Sequence, residues 1–309
     1  VKHKNNSLIN AEKNKKITSQ VRAGFLVDWD PQSFYSLQSH IGEMNMVIPE
    51  WFFIDPVADT IKPQVDTAAY TLMKKYPVKI LPILNNVNVM SGDGDFDGAM
   101  LDRILQSKEK KEKLISSMVN YLEKYQLQGI NIDFEEIKES SIAAMHAFQK
   151  ELYAVLHKKG YLVTQDIMPD DEDFHTKELA ANNDYIFLMA YDQHWTSSTP
   201  GPVCDQKWIE KSTDEICKDV PSEKVVIAIA AFGYDWPQGG EGVSVTYQQA
   251  LSTAKEYKAT IDFDNDSYNC SYSYTDNEKV KHTVYFIDAA GSFNTIRFAD
   301  QYGAAGVAL

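Results

Sequence analysis

Gly129-Ile130-Asn131-Ile132-Asp133-Phe134-Glu135-Glu136 is the stretch on which the fold turns. Ile130, Ile132 and Phe134 alternate with Asn131, Asp133 and Glu135. Successive side chains of a strand point to opposite faces, so the apolar three share one face and the polar three share the other. The carboxylates of Asp133 and Glu135 then lie side by side at the strand's C-terminal end. A carboxylate beside a second carboxylate, with little water, has its pKa pushed up. It becomes an acid able to donate a proton near neutral pH.

The flanks on both sides are helical. Leu114, Met118, Leu122 and Tyr125 fall on one face of a predicted helix over 108–126. Ile142, Met145, Leu152 and Leu156 do the same over 140–159, and Gly160 ends that helix. Strands embedded between helices are ordinarily buried on both faces and continuously apolar, so three polar residues in this one point to a site. Further strands are predicted at 21–27, 44–48, 78–84, 161–167, 184–190, 225–231 and 303–309. Helices are predicted near 33–40, 67–75, 208–218 and 288–302. Strand-helix alternation is the α/β pattern with parallel strands. Residues 243–282 break the rhythm, with one helix near 247–257 and polar-aromatic alternation after it. They read as a small α+β insertion between the seventh and eighth strands, spanning about 243–287. Residues 1–19 read as a flexible segment before a single unit over 20–309.

The chain has 309 residues and a net charge of −14, which argues against nucleic acid or anionic membrane as partners. Cys204, Cys217 and Cys270 have no metal-binding spacing; Cys204 with Cys217 is one open pairing, three free thiols the other. No G-x-S-x-G, H-E-x-x-H or P-loop pattern occurs, and neither cofactor nor metal is assigned. Asp93, Asp95, Asp97 and Gly98 match the opening of a calcium loop, but Ile104 stands where a bidentate Glu belongs. That segment reads as an acidic surface loop, with a weak cation site as the other reading.

Residues 128–135 resemble the D-x-x-D-x-D-x-E signature of family 18 glycoside hydrolases, the chitinase-like TIM barrels, in which it forms strand four. Glu135 takes the place of the terminal acid and Asp133 that of the last aspartate. Asn131 and Gln128 stand where the family carries two more aspartates. Met189-Ala190-Tyr191-Asp192 resembles a second element of the family, after strand six. The resemblance implies a (β/α)8 TIM barrel with the small insertion between strands 7 and 8. It also implies a substrate-assisted retaining hydrolase of N-acetylglucosamine-containing glycans. Glu135 would protonate the glycosidic oxygen, and Asp133, with Asn131 behind it, would orient the substrate's acetamido group. Tyr191 would bond the acetamido oxygen, and Asp192 would hold the distorted sugar.

Trp29, Trp51, Asn85, Tyr234 and Trp236 fall near strand ends and are candidates for lining the cleft. The rings could stack on sugar faces and the amide could bond hydroxyls. Core packing and turn formation are the other readings. Asp166 alternates with Thr164 toward the lumen, and His194 lies beside the second element. In the family, strand eight runs on into a tryptophan. The sequence ends at Leu309, so the resemblance implies a longer protein, membrane-associated, with polysaccharide deacetylase and glycosyltransferase segments, working outside the cytoplasm. The competing class is a glycan-binding domain without turnover. A third reading is a hydrolase of sugars that lack acetamido groups.

Overall fold

The structure, a computed structural model, describes residues 20–89, 94–169 and 174–309. Residues 1–19, read from the sequence as a flexible segment, Asp93 of the acidic loop and the acidic run after Pro169 lie outside these residues.

The main sheet contains β1 (Val21–Leu26), β2 (Met46–Pro49), β3 (Phe52–Asp55), β4 (Thr60–Pro63), β5 (Lys79–Ile80), β6 (Ile83–Asn85), β7 (Gly129–Asp133), β8 (Leu162–Ile167), β9 (Tyr185–Met189), β10 (Val225–Ala228) and β16 (Gly306–Ala308). Their order is β4-β3-β6-β7-β8-β9-β10-β16-β1-β2-β5. Apart from the β3–β4 pair, every pairing is parallel. The two ends of this order are the same two stretches of chain. β2 continues into β3 after a bend in which the Trp51 amide donates to the Pro49 carbonyl at 2.9 Å. β5 continues into β6 across Leu81-Pro82, where the proline has no N–H to give a ladder. The ladder therefore returns to its start, and the fold is α/β and TIM-barrel-like.

The helices are α1 (Pro31–His40), α2 (Thr67–Met73), α3 (Gly98–Leu105), α4 (Lys108–Lys124), α5 (Ile142–Lys158), α6 (Thr176–Ala181), α7 (Gln206–Ile216), α8 (Tyr247–Glu256) and α9 (Ala289–Tyr302). Asp30, Asp66, Asp97, Asp205 and Asp288 cap five of them by accepting first-turn N–H bonds. Asp97, one of the acids in the calcium-like loop, is thus a helix cap. The expected faces of α4 and α5 are the buried ones, with Leu114, Met118, Leu122, Met145, Leu152 and Leu156 inward. Ile130, Ile132 and Phe134 join this outer core, and Phe134 stacks on Phe148 of α5 at 6.1 Å.

A second apolar cluster holds Ala23, Met46, Ile48, Phe187, Val226 and Ala308, drawn from alternate positions of several strands. It is the plug inside the ring. The register sets Asn131 beside Ile83 and Thr164, and Asp166 beside Phe187. Asn131, Thr164 and Asp166 therefore face the inside with the plug, while Ile130 and Ile132 face the helices.

A separate antiparallel sheet comprises β11 (Phe232–Pro237), β12 (Val243–Thr246), β13 (Asp262–Phe263), β14 (Cys270–Thr275) and β15 (Lys281–Phe286), in the order β12-β11-β15-β14-β13. With α8 it encloses a small core of Ala250, Ala254, Cys270, Tyr272, Val284 and Phe286. It lies in the chain between β10 and β16. The sequence reading took 232–237 as the mouth of barrel strand seven and began the insertion at 243. The structure ends that strand at Ala228 and gives 232–237 to the second sheet. Gly233 permits this, because a Cβ there would meet the Tyr285 carbonyl oxygen at 2.3 Å. All three cysteines are free thiols.

Candidate active site

β7 stops at Asp133, and Glu135 lies just past its end. Its backbone is held by one side chain. Asn86 Nδ2 donates to the Glu135 carbonyl at 2.9 Å, and the Glu135 amide donates to Asn86 Oδ1 at 3.0 Å. Asn86 is fully buried, so the pair acts like one extra rung of sheet. Glu136 then turns away with φ +57°, a conformation uncommon for residues other than glycine. Gly98, at the start of α3, lies against that turn. A Cβ there would sit 2.0 Å from the Glu136 carbonyl oxygen.

Around Asp133 the lumen is crowded with acid. Burial first, then the nearby Glu135 and Glu50, pushes the Asp133 carboxyl up to about 8. Its Oδ1 is buried without a hydrogen-bond partner among the described residues. Asn131 is fully buried. Its Nδ2 donates to Asp166 Oδ2 at 2.6 Å, and its Oδ1 accepts from Thr164 Oγ1 at 2.5 Å. Burial, and then Asp133, drive the Asp166 carboxyl far above the usual carboxylate range, against the opposing bond from Asn131. Glu50 follows β2 and was not singled out in the sequence. Burial raises its carboxyl too, although Trp29 Nε1 and Asn85 Nδ2 each donate to it at 3.1 Å.

Two strands along the ring from β7, Tyr191 follows β9. Burial and its neighbours Asp166, Asp133, Asp192 and Glu135 hold its phenol well above its usual pKa, so it stays a hydrogen-bond donor. Asp192 sits at φ +60° and accepts from the Tyr234 hydroxyl at 2.7 Å. Burial raises its carboxyl and that bond partly offsets the rise. The structure thus gathers Asn131, Asp133, Glu135, Tyr191 and Asp192 at one end of the ring, the C-terminal end of its strands.

The cleft-lining residues fare unevenly. Trp29 is 75% exposed, with its ring open to solvent. Trp51 is 1% exposed and Trp236 2%, so neither offers a ring face to a sugar. Trp51 packs against Tyr70 and borders a 260 Å³ cleft beside Asp28, Phe34 and Tyr35. Trp236 donates Nε1 to the Trp195 carbonyl and lies against Gly242. Tyr234 is a buried partner of Asp192. Asn85 is 1% exposed, and its amide is taken up by Glu50 and by the Val87 N–H. Gln128 bonds the backbone of Ile80 and Gln126. His194 packs on Gly201, where a Cβ would meet its ring at 2.5 Å. Tyr35, at 61%, and Trp195, at 49%, are further exposed aromatics, and the sequence reading singled out neither.

This arrangement can hold a proton near neutral pH on Asp133 and donate from a phenol at Tyr191. Asn86 and Glu50 carry no local signal of their roles, since their partners lie 49 and 35 residues away.

Comparison with known proteins agrees with the geometry. Residues 77–309 match the family model described as "Glycosyl hydrolases family 18". The chain is 27% identical over 292 residues to the "Uncharacterized glycosylase YvbX" of Bacillus subtilis (strain 168), covering 91% of this chain and 84% of that protein. It is 26% identical over 215 residues to the "Cortical fragment-lytic enzyme" of the same organism, covering 64% of this chain and half the length of that enzyme. A chitinase from Chromobacterium violaceum superposes with a TM-score of 0.85 at 20% identity, over 94% of this chain and 93% of that one.

Proposed function

The chain belongs to family 18 of the glycosyl hydrolases and is a glycosidase, and from that premise we propose that it cleaves β-linked N-acetylglucosamine-containing polysaccharide by a substrate-assisted retaining route. The observation that carries this reading is the pair at the end of β7. Asp133 holds a proton near neutral pH, and Glu135, two residues on, is fixed by its backbone. Family 18 differs from ordinary retaining glycosidases in using the substrate's own acetamido group as nucleophile. Glu135 protonates the glycosidic oxygen. Asp133 hands its proton on to Glu135 as Glu135 gives one up. The acetamido oxygen closes on the anomeric carbon as the bond to the protonated glycosidic oxygen breaks, and the Asp133 carboxylate left behind steadies the acetamido N–H and the charge that develops. Tyr191 donates to the acetamido oxygen, and Asp192, braced by Tyr234, holds the distorted sugar.

The names of the relatives suggest two polymers, spore cortex and chitin. Exported poly-N-acetylglucosamine is a third. All three lie outside the cytoplasm, which is where this reading has the domain work.

The test is product analysis of N-acetylglucosamine oligomers and of cortex glycan strands, with the protein and with Glu135→Gln. Cleavage is expected in the first and a loss of about 100-fold or more in the second. Full activity in the variant overturns the assignment. Binding without cleavage by the unaltered protein supports the glycan-binding alternative.

A further inference from the structure

Asp166 is a buried acid that neither the resemblance nor the comparisons assign. It is 4% exposed. Asn131 already donates to its Oδ2, while its Oδ1 is buried with no partner among the described residues. The Oδ1 of Asp133 is in the same condition. The register pairs Ile132 of β7 with Gln165 of β8, so Asp133 and Asp166 stand at the same level on neighbouring strands. The charged and titratable groups facing Asp166 are Asp133 and Glu135 at the end of β7 and Tyr191 after β9. Glu50, after β2, acts on Asp133. No lysine or arginine forms an ion pair with any of these acids among the described residues.

Two orphaned acceptors at one level of a cation-free lumen cannot both remain ionised without a large desolvation cost. One proton taken up by the two carboxyls removes one of the two charges. The residue that would share that proton along strand four is Asn131, an amide, which neither gains nor loses one. We propose that Asp166 is the second carboxyl of a proton-sharing pair with Asp133, so that the acid missing from strand four is supplied by strand five. Asn131 is the bracket that keeps Asp166 in place, oriented in turn by Thr164. Asp166 acts through Asp133 and is a positioning residue. Its part in catalysis rests on the reaction proposed above, whereas the shared proton does not.

A consequence follows for Asn131. Restoring an aspartate there alone puts a third acid against Asp133 and Asp166, and it should weaken the enzyme. Moving the acid, with Asn131→Asp and Asp166→Asn together, keeps the count and should work.

The first measurement needs no turnover. Carboxyl-carbon NMR titration of the free protein should show Asp133 and Asp166 titrating together in two steps. In Asp166→Asn the upper step should vanish, with Asp133 titrating once and lower by about one unit or more. Asp133→Asn should lower the Asp166 titration likewise, a reciprocal reading that does not depend on the first variant folding. The double exchange should restore two steps. Unchanged titration of Asp133 in Asp166→Asn, or of Asp166 in Asp133→Asn, overturns the pair.

On oligomers, Asp166→Asn should lower kcat about tenfold or more with KM within about twofold, and the exchange should regain most of it. Loss in Asp166→Asn with no rescue by the exchange overturns the catalytic part. If the unaltered protein cleaves nothing, the functional reading falls and the titration still decides the pair.

Discussion

At the scale of single residues, Asp133 is held in a place that disfavours its charge. An aspartate in an unfolded chain titrates near 3.9; in the fold, burial, Glu135 and Glu50 push it to about 8. Between those values the folded state binds the proton and the unfolded state does not. Stability therefore falls as pH rises through that window. Asp133→Asn removes this residue's share of the dependence, leaving those of Asp166, Glu50 and Asp192. We expect the variant to match the wild type in Tm below about pH 4 and to exceed it at pH 8. One pKa unit alone corresponds to about 1.4 kcal/mol, which sets the scale of the gain. Thermal melts across pH 4–8 check this, and a variant less stable than wild type at pH 8 contradicts it. The same variant should lose most of its turnover, since the orienting carboxylate is gone. Gain in stability with loss of activity is the mark of a group strained for its task.

At the scale of elements, the acid is placed by the end of β6 and the start of α3 as much as by its own strand. Asn86→Ala strips two hydrogen bonds from the backbone of Glu135, each worth about 0.5–1.5 kcal/mol. Gly98→Ala forces the Glu136 turn to move, because its carbonyl oxygen occupies the space of the new methyl. Both variants should lower kcat more than they raise KM, with Glu135 itself intact; a kcat within twofold of wild type in both counts against the clamp. None of this was legible in the sequence. α4 and α5 were, because a helix repeats its apolar face every three to four residues and Gly160 marks an end. The acid pair of β7 was, because strand alternation is local. Trp51, Tyr234 and Trp236 were assigned to a cleft by their position near predicted strand ends. Position along a strand does not say what packs over a ring: Tyr70 of a helix covers Trp51, Asp192 engages Tyr234 and Gly242 lies against Trp236.

At the scale of the whole molecule, two cores meet at the site. The ring supplies Asp133, Glu135, Tyr191 and Asp192, and the second sheet supplies the hydroxyl of Tyr234 that holds Asp192. That sheet is docked by Asn269, fully buried, whose side chain bonds the Val203 amide and the Cys204 carbonyl. Its own core is small and centred on Phe286, which is 1% exposed and packs on Tyr247 and Tyr272. Phe286→Ala should cost about 3–5 kcal/mol. The loss falls on a cluster that shares no buried residue with the ring's plug. Hydrogen exchange should therefore quicken across 232–286 while the amides of β7, β8 and β9 stay protected. Activity should fall in step, because β11 pairs with β15 directly opposite Phe286 and carries Tyr234 one residue on. Equal loss of protection in the ring strands would mean that the two cores open as one. Protection lost only in the second sheet, with turnover unchanged, would mean that Asp192 keeps its place without Tyr234, at φ +60° and with one carboxylate oxygen left to water.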